Sequence, residues 1–123
     1  MVNLTPLLTE NFMLLPTFEL IVEEGIRVPL KSKPLVVYFL TYEGELVYIG
    51  KTNNLFNRLS AHIAENKKTF DDYFIAIFDT DSESLTHIER IYIEKYLPMY
   101  NKRVYKSKFT DFQFTDAVEE FEQ

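Results

Sequence analysis

Six side chains in the middle of this sequence are of the types that move protons or hold anions. Tyr38 and Tyr48 carry phenols, Lys51 and Arg58 fixed cations, His62 an imidazole and Glu89 a carboxylate. Tyr48 and Lys51 stand on either side of Gly50 in the stretch LVYIGKTNNLFNRLSAH, residues 46–62. Arg58 and His62 are four residues apart, so in a helix they share one face. Taken singly, each has a plainer explanation. An Arg/His pair on a helix edge is commonly a surface feature, and strand tyrosines are commonly core or cross-strand aromatics. Gathered around one glycine, they are the parts that acid–base work and anion binding use.

The elements that must position them can be read from the pattern. PLVVYFLTY and ELVYI are β-rich and flank Glu43-Gly44, which predicts an antiparallel hairpin. The second strand is expected to stop at Gly50, which lets the backbone turn. From about Asn54 to Glu65 the apolar residues have helical spacing, with Leu55, Leu59 and Ile63 as the core stripe. DYFIAIFD reads as a third strand. Thr80 with Glu83 has the spacing of a capping box for a helix that runs to about Leu97, where Pro98 ends it. Upstream, FELIVEEGIRVP reads as two short strands around Glu24-Gly25, a hairpin. The order predicts an α/β (α+β) fold, a small antiparallel-rich sheet flanked by helices.

The second helix holds the residue that breaks its packing pattern. Leu85, Ile88, Tyr92 and Tyr96 fall on one stripe, and Glu89 lies within the same apolar arc. A carboxylate there is costly unless something compensates it. Three readings are open: snorkelling to the edge of the core, pairing with an arginine such as Arg58, and holding a hard metal ion.

The 123 residues are enough for one domain with one core. The absence of cysteine excludes disulfides and cysteine–zinc sites, and is consistent with a reducing cytoplasm. The N-terminus lacks the pattern of a signal peptide, and LVVYFL is too short to span a bilayer, so no membrane association is expected. The net charge of −6 argues weakly against a nucleic-acid partner, but its distribution changes that. Residues 1–30 carry −3, residues 111–123 carry −5, and residues 31–110 carry +2. The densest basic stretch is KRVYKSK, with Lys102, Arg103, Lys106 and Lys108 around Tyr105. It reads either as a solvated surface run or as a phosphate-contacting strip.

These residues together resemble the GIY-YIG endonuclease superfamily. Tyr48-Ile49-Gly50 is the second half of the signature, and Val36-Val37-Tyr38 corresponds to the first half, with Val36 in place of its glycine. Arg58 matches the arginine on the following helix and His62 the histidine one turn later. Glu89 matches the metal-binding glutamate, and Asn101 the asparagine of the P-x-Y-N ending, here PMYN. The likeness covers about residues 34–102, leaving 1–33 as an N-terminal extension and 103–123 as a basic strip and acidic tail. ELVYIGKTNNLFNRL is also similar to small phage members, which implies a host cytoplasm.

The resemblance implies a divalent-metal-dependent endonuclease acting on DNA, using Mg²⁺ or Mn²⁺. Glu89 would hold the metal, Arg58 the scissile phosphate, and Tyr48 would be the general base, assisted by Lys51 and His62. Tyr38 would position water or phosphate, and Asn101 would fix the end of the Glu89 helix or orient a catalytic group. Lys51, Arg58, Lys102, Arg103, Lys106 and Lys108 would contact nucleic acid. The alternative is a non-catalytic module that keeps the fold and binds nucleic acid or a protein. The short length argues against a separate DNA-reading domain, so specificity would be expected to come from this domain, from self-association (a homo-oligomer) or from a protein partner. The acidic tail has two readings: it competes with phosphates for the basic strip, or it docks on the core through Phe112, Phe114, Val118 and Phe121.

Overall fold

The computed structural model of the chain describes residues 4, 6–8, 12–28, 33–102 and 112–121. Arg103, Tyr105, Lys106 and Lys108 lie outside the described residues, so most of the expected basic strip does too. The central sheet has three antiparallel strands in the order β4-β3-β5: β3 is Leu35–Tyr42, β4 is Glu45–Thr52 and β5 is Asp72–Phe78. The β3–β4 hairpin turns on Glu43 and Gly44, both at positive φ (50° and 83°). That is the two-residue turn whose twist matches the strands it joins. Both faces of β3 are buried, which is why its sequence is an almost unbroken apolar run. Val36, Tyr38 and Leu40 pack with Leu55 and Leu59 of helix α2 (Leu55–Glu65). Val37 and Phe39 pack with Leu85, Ile88 and Tyr92 of helix α3 (Ser82–Tyr96). Val36 thus fills core space under α2 and is 1% exposed.

One irregularity decides which way β4 faces. Tyr42 pairs with Glu45 and Thr41 with Leu46, but Leu40 then pairs with Tyr48, leaving Val47 as an extra residue. The bulge shifts the register by one, and a one-residue shift moves a side chain to the opposite face. Unshifted pairing would set Tyr48 opposite Phe39, on the α3 side. With the bulge, Tyr48 stands on the same face as Tyr38, their ring centroids 6.0 Å apart.

Gly50 does not end the strand. β4 continues through Lys51 and Thr52, and Gly50 lies directly opposite Tyr38. The phenol of Tyr38 lies flat across it, so a Cβ at position 50 would collide with Tyr38 Cζ and Oη. The glycine is required for close approach rather than for a turn.

The flanks differ from the sequence expectation. Residues of FELIVEEGIRVP form helix α1 (Phe18–Glu24) and not a hairpin. Thr17 caps its start by accepting from the Leu20 N–H at 3.2 Å, and Gly25 ends it at φ 61°. The Glu-Gly pair that reads as a turn is a helix C-cap. A hairpin does occur nearby: β1 (Leu7–Leu8) pairs antiparallel with β2 (Met13–Pro16). The described part of the tail forms a strand, β6 (Phe112–Thr115), parallel to β2, followed by a 3-10 turn at Val118–Glu120. For α3, Asp81 rather than Thr80 is the N-cap, accepting from the Ser84 N–H at 2.7 Å. On α2, Ile63 is 68% exposed, and His62 takes the inward position expected of it.

The small β1-β2-β6 sheet rests on α3. The Tyr92 hydroxyl donates to the Pro16 carbonyl, and the Tyr96 hydroxyl accepts from the Phe18 N–H at 2.7 Å. Phe114 packs edge-on against Tyr92, with ring centroids 5.2 Å apart. Phe112 and Phe114 are half-buried and Phe121 is 5% exposed, so the described part of the tail docks on the core.

Truncation after Lys108 is expected to lower the melting temperature. Losing burial of Phe112, Phe114 and Phe121 removes roughly 3 kcal/mol or more, or about 10 °C in a chain of this size. A thermal melt of both proteins measures it, and an unchanged midpoint would remove the docking assignment. Gly50→Ala forces a methyl against Tyr38 and is expected to cost about 1–3 kcal/mol. Pairing it with Tyr38→Leu should recover part of that loss, because the collision is with the ring.

Candidate active site

Tyr38 has its phenol inside the protein, and a buried hydroxyl must find partners. It finds two on α2. The Tyr38 hydroxyl shares a hydrogen bond with His62 Nε2 at 2.9 Å, and Arg58 Nε donates to it at 3.3 Å. Asn54 starts α2 by accepting from the Asn57 N–H, and this fixes the turn that carries Arg58. The four-residue spacing read from sequence therefore serves one purpose, since both side chains reach the same oxygen. Arg58 is exposed beyond that contact, whereas His62 is 2% exposed.

Burial sets the charge states. Desolvation, with the Tyr48 phenol beside it, pushes the Tyr38 hydroxyl far above the ordinary tyrosine range, so it stays protonated. The hydrogen bond to Tyr38 reinforces the charge on Arg58. Burial, then the nearby charges of Arg58 and Lys68, lower the His62 imidazole below its usual value. His62 is thus neutral at neutral pH, with its Nε2 engaged by the Tyr38 hydroxyl.

Tyr48 joins this network to a second set of groups. Its hydroxyl interacts with both the Tyr38 hydroxyl and the Arg58 guanidinium. Its ring stands 5.2 Å from the His62 ring, and Lys68 Nζ lies over it, 4.9 Å from the centroid. Tyr48 also lines an open cleft of about 440 Å³ with Lys68, Glu89, Tyr100, Asn101 and Lys102. Glu89 comes to this cleft from α3. Its position is half-buried, and desolvation raises its carboxyl above the ordinary range, partly offset by Lys51 and Arg90. Its cations are therefore Lys51 and Arg90, and Arg58, the partner considered from sequence, is engaged with Tyr38 instead.

Asn101 clamps the two halves. Its Oδ1 accepts from the Ile49 N–H at 2.9 Å, and its Nδ2 donates to the Ile49 carbonyl at 2.8 Å. The side-chain amide thus stands in for a neighbouring strand beside β4. The Tyr100 N–H adds a bond to the carbonyl of the bulged Val47 at 3.0 Å. Both polar groups of the Asn101 side chain are thereby engaged with β4. Tyr38 is 1% exposed, and its hydroxyl meets Arg58 and His62 rather than the surface. Lys51 and Lys102 are exposed. Lys68 was not anticipated. It lies in the α2–β5 connection, where no periodicity singles out one lysine from its neighbour Lys67.

Comparison with known proteins bears on the same segment. Residues 34–106 match the model of the GIY-YIG catalytic domain. UvrABC system protein C of Lactobacillus delbrueckii subsp. bulgaricus is 36% identical over 66 residues, 47% of this chain and 11% of that protein. The same protein of Mycoplasma capricolum subsp. capricolum is 38% identical over 82 residues, 58% of this chain and 14% of that protein. The chain thus spans only a small fraction of the length of these relatives. Among solved structures, the GIY-YIG N-terminal endonuclease domain of UvrC from Thermotoga maritima, bound to magnesium as its catalytic divalent cation, is 27% identical. It covers 58% of this chain and 88% of that domain, with a TM-score of 0.47. A point mutant of that domain, bound to its catalytic divalent cation, is 26% identical over 60% of this chain and 89% of the other, with a TM-score of 0.48. With the catalytic-domain match extending over well more than half of its residues, this chain belongs to the GIY-YIG family.

Proposed function

We propose that this chain is a divalent-metal-dependent endonuclease that hydrolyses phosphodiester bonds in DNA. The observation that carries the reading is the convergence on one cleft of Tyr48, tied to Arg58 and His62, and of Glu89, an under-compensated carboxylate. Arg58 presents a guanidinium whose orientation the Tyr38 hydroxyl fixes, suited to a phosphate oxygen. Tyr48 is the general base. Arg58 and Lys68, two cations, stand beside it. His62, neutral and one ring away, is the group to receive the proton onward. Lys51 stands beside Glu89 and Lys102 at the cleft wall, both open to a phosphate backbone.

The donor set suits Mg²⁺ or Mn²⁺. Among the described residues there is no cluster of three metal-binding side chains. One carboxylate, completed by waters and a substrate oxygen, is nevertheless an ordinary magnesium shell. The cost of keeping Glu89 ionised in a half-buried position also falls when a cation joins it. When bound there, the metal supplies positive charge where negative charge develops on the phosphate. Glu89 is the one residue of this chain assigned to hold it.

Glu89→Gln keeps the shape and removes the charge. It is expected to abolish metal-dependent nicking of supercoiled plasmid, and to melt at or above the wild type without metal, since a desolvated charge has gone. Added Mg²⁺ should raise the wild-type midpoint and leave the variant's unchanged. Cleavage by the variant near the wild-type rate would sink the assignment. Tyr48→Phe preserves the ring and its contacts, so its melt should match the wild type while the cleavage rate falls by about 10² or more. A fully active Tyr48→Phe protein would move the base to another residue.

A further inference from the structure

We infer that Leu97 and Met99 form an apolar wedge that enters a DNA duplex beside the cleft and unstacks a base step there. The inference rests on the nuclease reading and deepens it, because it specifies how the substrate is gripped. Four observations support it. Met99 is 72% exposed and Leu97 is 59% exposed, while Pro98 between them is buried. A single exposed leucine is ordinary on a protein surface. Leu97, however, sits at φ 48°, the left-handed C-cap position of α3 that favours glycine or asparagine. It therefore carries a backbone cost with little burial in return, and folding gives no reason for a large apolar side chain at that point.

The segment is also held rigidly. The Leu97 N–H donates to the Ile93 carbonyl at 2.8 Å and the Asn101 N–H to the Pro98 carbonyl at 3.1 Å. Tyr100 and Asn101 fasten the next residues to β4. Apolar tips on a fixed base are what wedging between stacked bases requires, since a loose loop would fold away instead. Finally, Tyr100, Asn101 and Lys102, the residues that follow Met99, line the cleft with Lys68 and Glu89. An apolar tip flanked by cations fits a polyanion with an apolar interior, which is a base-paired duplex, better than it fits an apolar protein surface. Unstacking is easiest at flexible pyrimidine–purine steps and at mismatches, so those are the preferred sites.

The test uses the full chain and short duplexes containing 2-aminopurine at a TA step, at a mismatch or within a GC-rich run. Wild-type binding should raise the fluorescence, most at the mismatch and least in the GC-rich run. Leu97→Gly/Met99→Ala should abolish the rise and weaken duplex binding about tenfold. Leu97→Gly alone should melt at or above the wild type, showing that any loss of binding is not unfolding. If the wild type binds and cleaves the duplex without a fluorescence change, the wedge is overturned and the nuclease reading stands. The same holds if the double variant keeps both the rise and the affinity, in which case the exposed pair serves a protein contact. If the wild type neither binds nor cleaves any duplex, the nuclease reading fails and the wedge with it.

Discussion

A phenol buried beneath a helix must have its hydroxyl satisfied, and Tyr38 obtains this from α2, through His62 and Arg58. Much of the site follows from that requirement. The ring can lie where it does only because position 50 has no side chain. The helix is held at the depth at which its imidazole is sealed from water and its guanidinium is not. The same contacts fix the protonation states: a phenol that keeps its proton, a histidine that stays neutral and an arginine more firmly charged. Packing and electrostatics are here one interaction, because desolvation is both the cost of placing these groups and the means of tuning them.

The carboxylate reaches the same cleft by an independent route. Glu89 is delivered by α3, which also carries the aromatic layer built from both ends of the chain. Its position relative to Tyr48 is set by Asn101, whose amide occupies one residue of strand β4 from outside. Charge chemistry at the cleft thus leans on hydrophobic contacts made by residues far from it in sequence, such as Leu15 and Phe121.

The sequence was most legible where one period dominates. The three strands of the central sheet and both long helices follow from alternation and helical spacing, and Glu89 stood out as a charge in an apolar arc. Shorter elements were not legible. Seven residues with apolar positions at 18, 20, 21 and 22 fit either a strand or a helix turn, and Glu-Gly suits a hairpin or a C-cap equally well. The pairing of β2 with β6 joins segments about a hundred residues apart, and neither carries a local mark of it. Lys68 owes its place to where a loop falls, which spacing does not encode. The reason for Gly50 was misread because its conformation is unremarkable, and only the ring lying across it shows the need.

The bulge at Val47 gives the site a dependence on counting rather than on chemistry. Which side of the sheet receives the Tyr48 hydroxyl is a matter of parity, decided by how many residues separate it from the Glu43-Gly44 turn. Pairing the same residues without the bulge would leave the turn, the apolar character of the strand and the letters Tyr-Ile-Gly intact. It would still deliver the phenol to the hydrophobic side, toward α3, and leave Arg58 and His62 facing an aliphatic neighbour. A chain could thus keep every recognisable residue of the site and lose the site itself, so spacing within the hairpin is as much a part of the catalytic apparatus as any side chain.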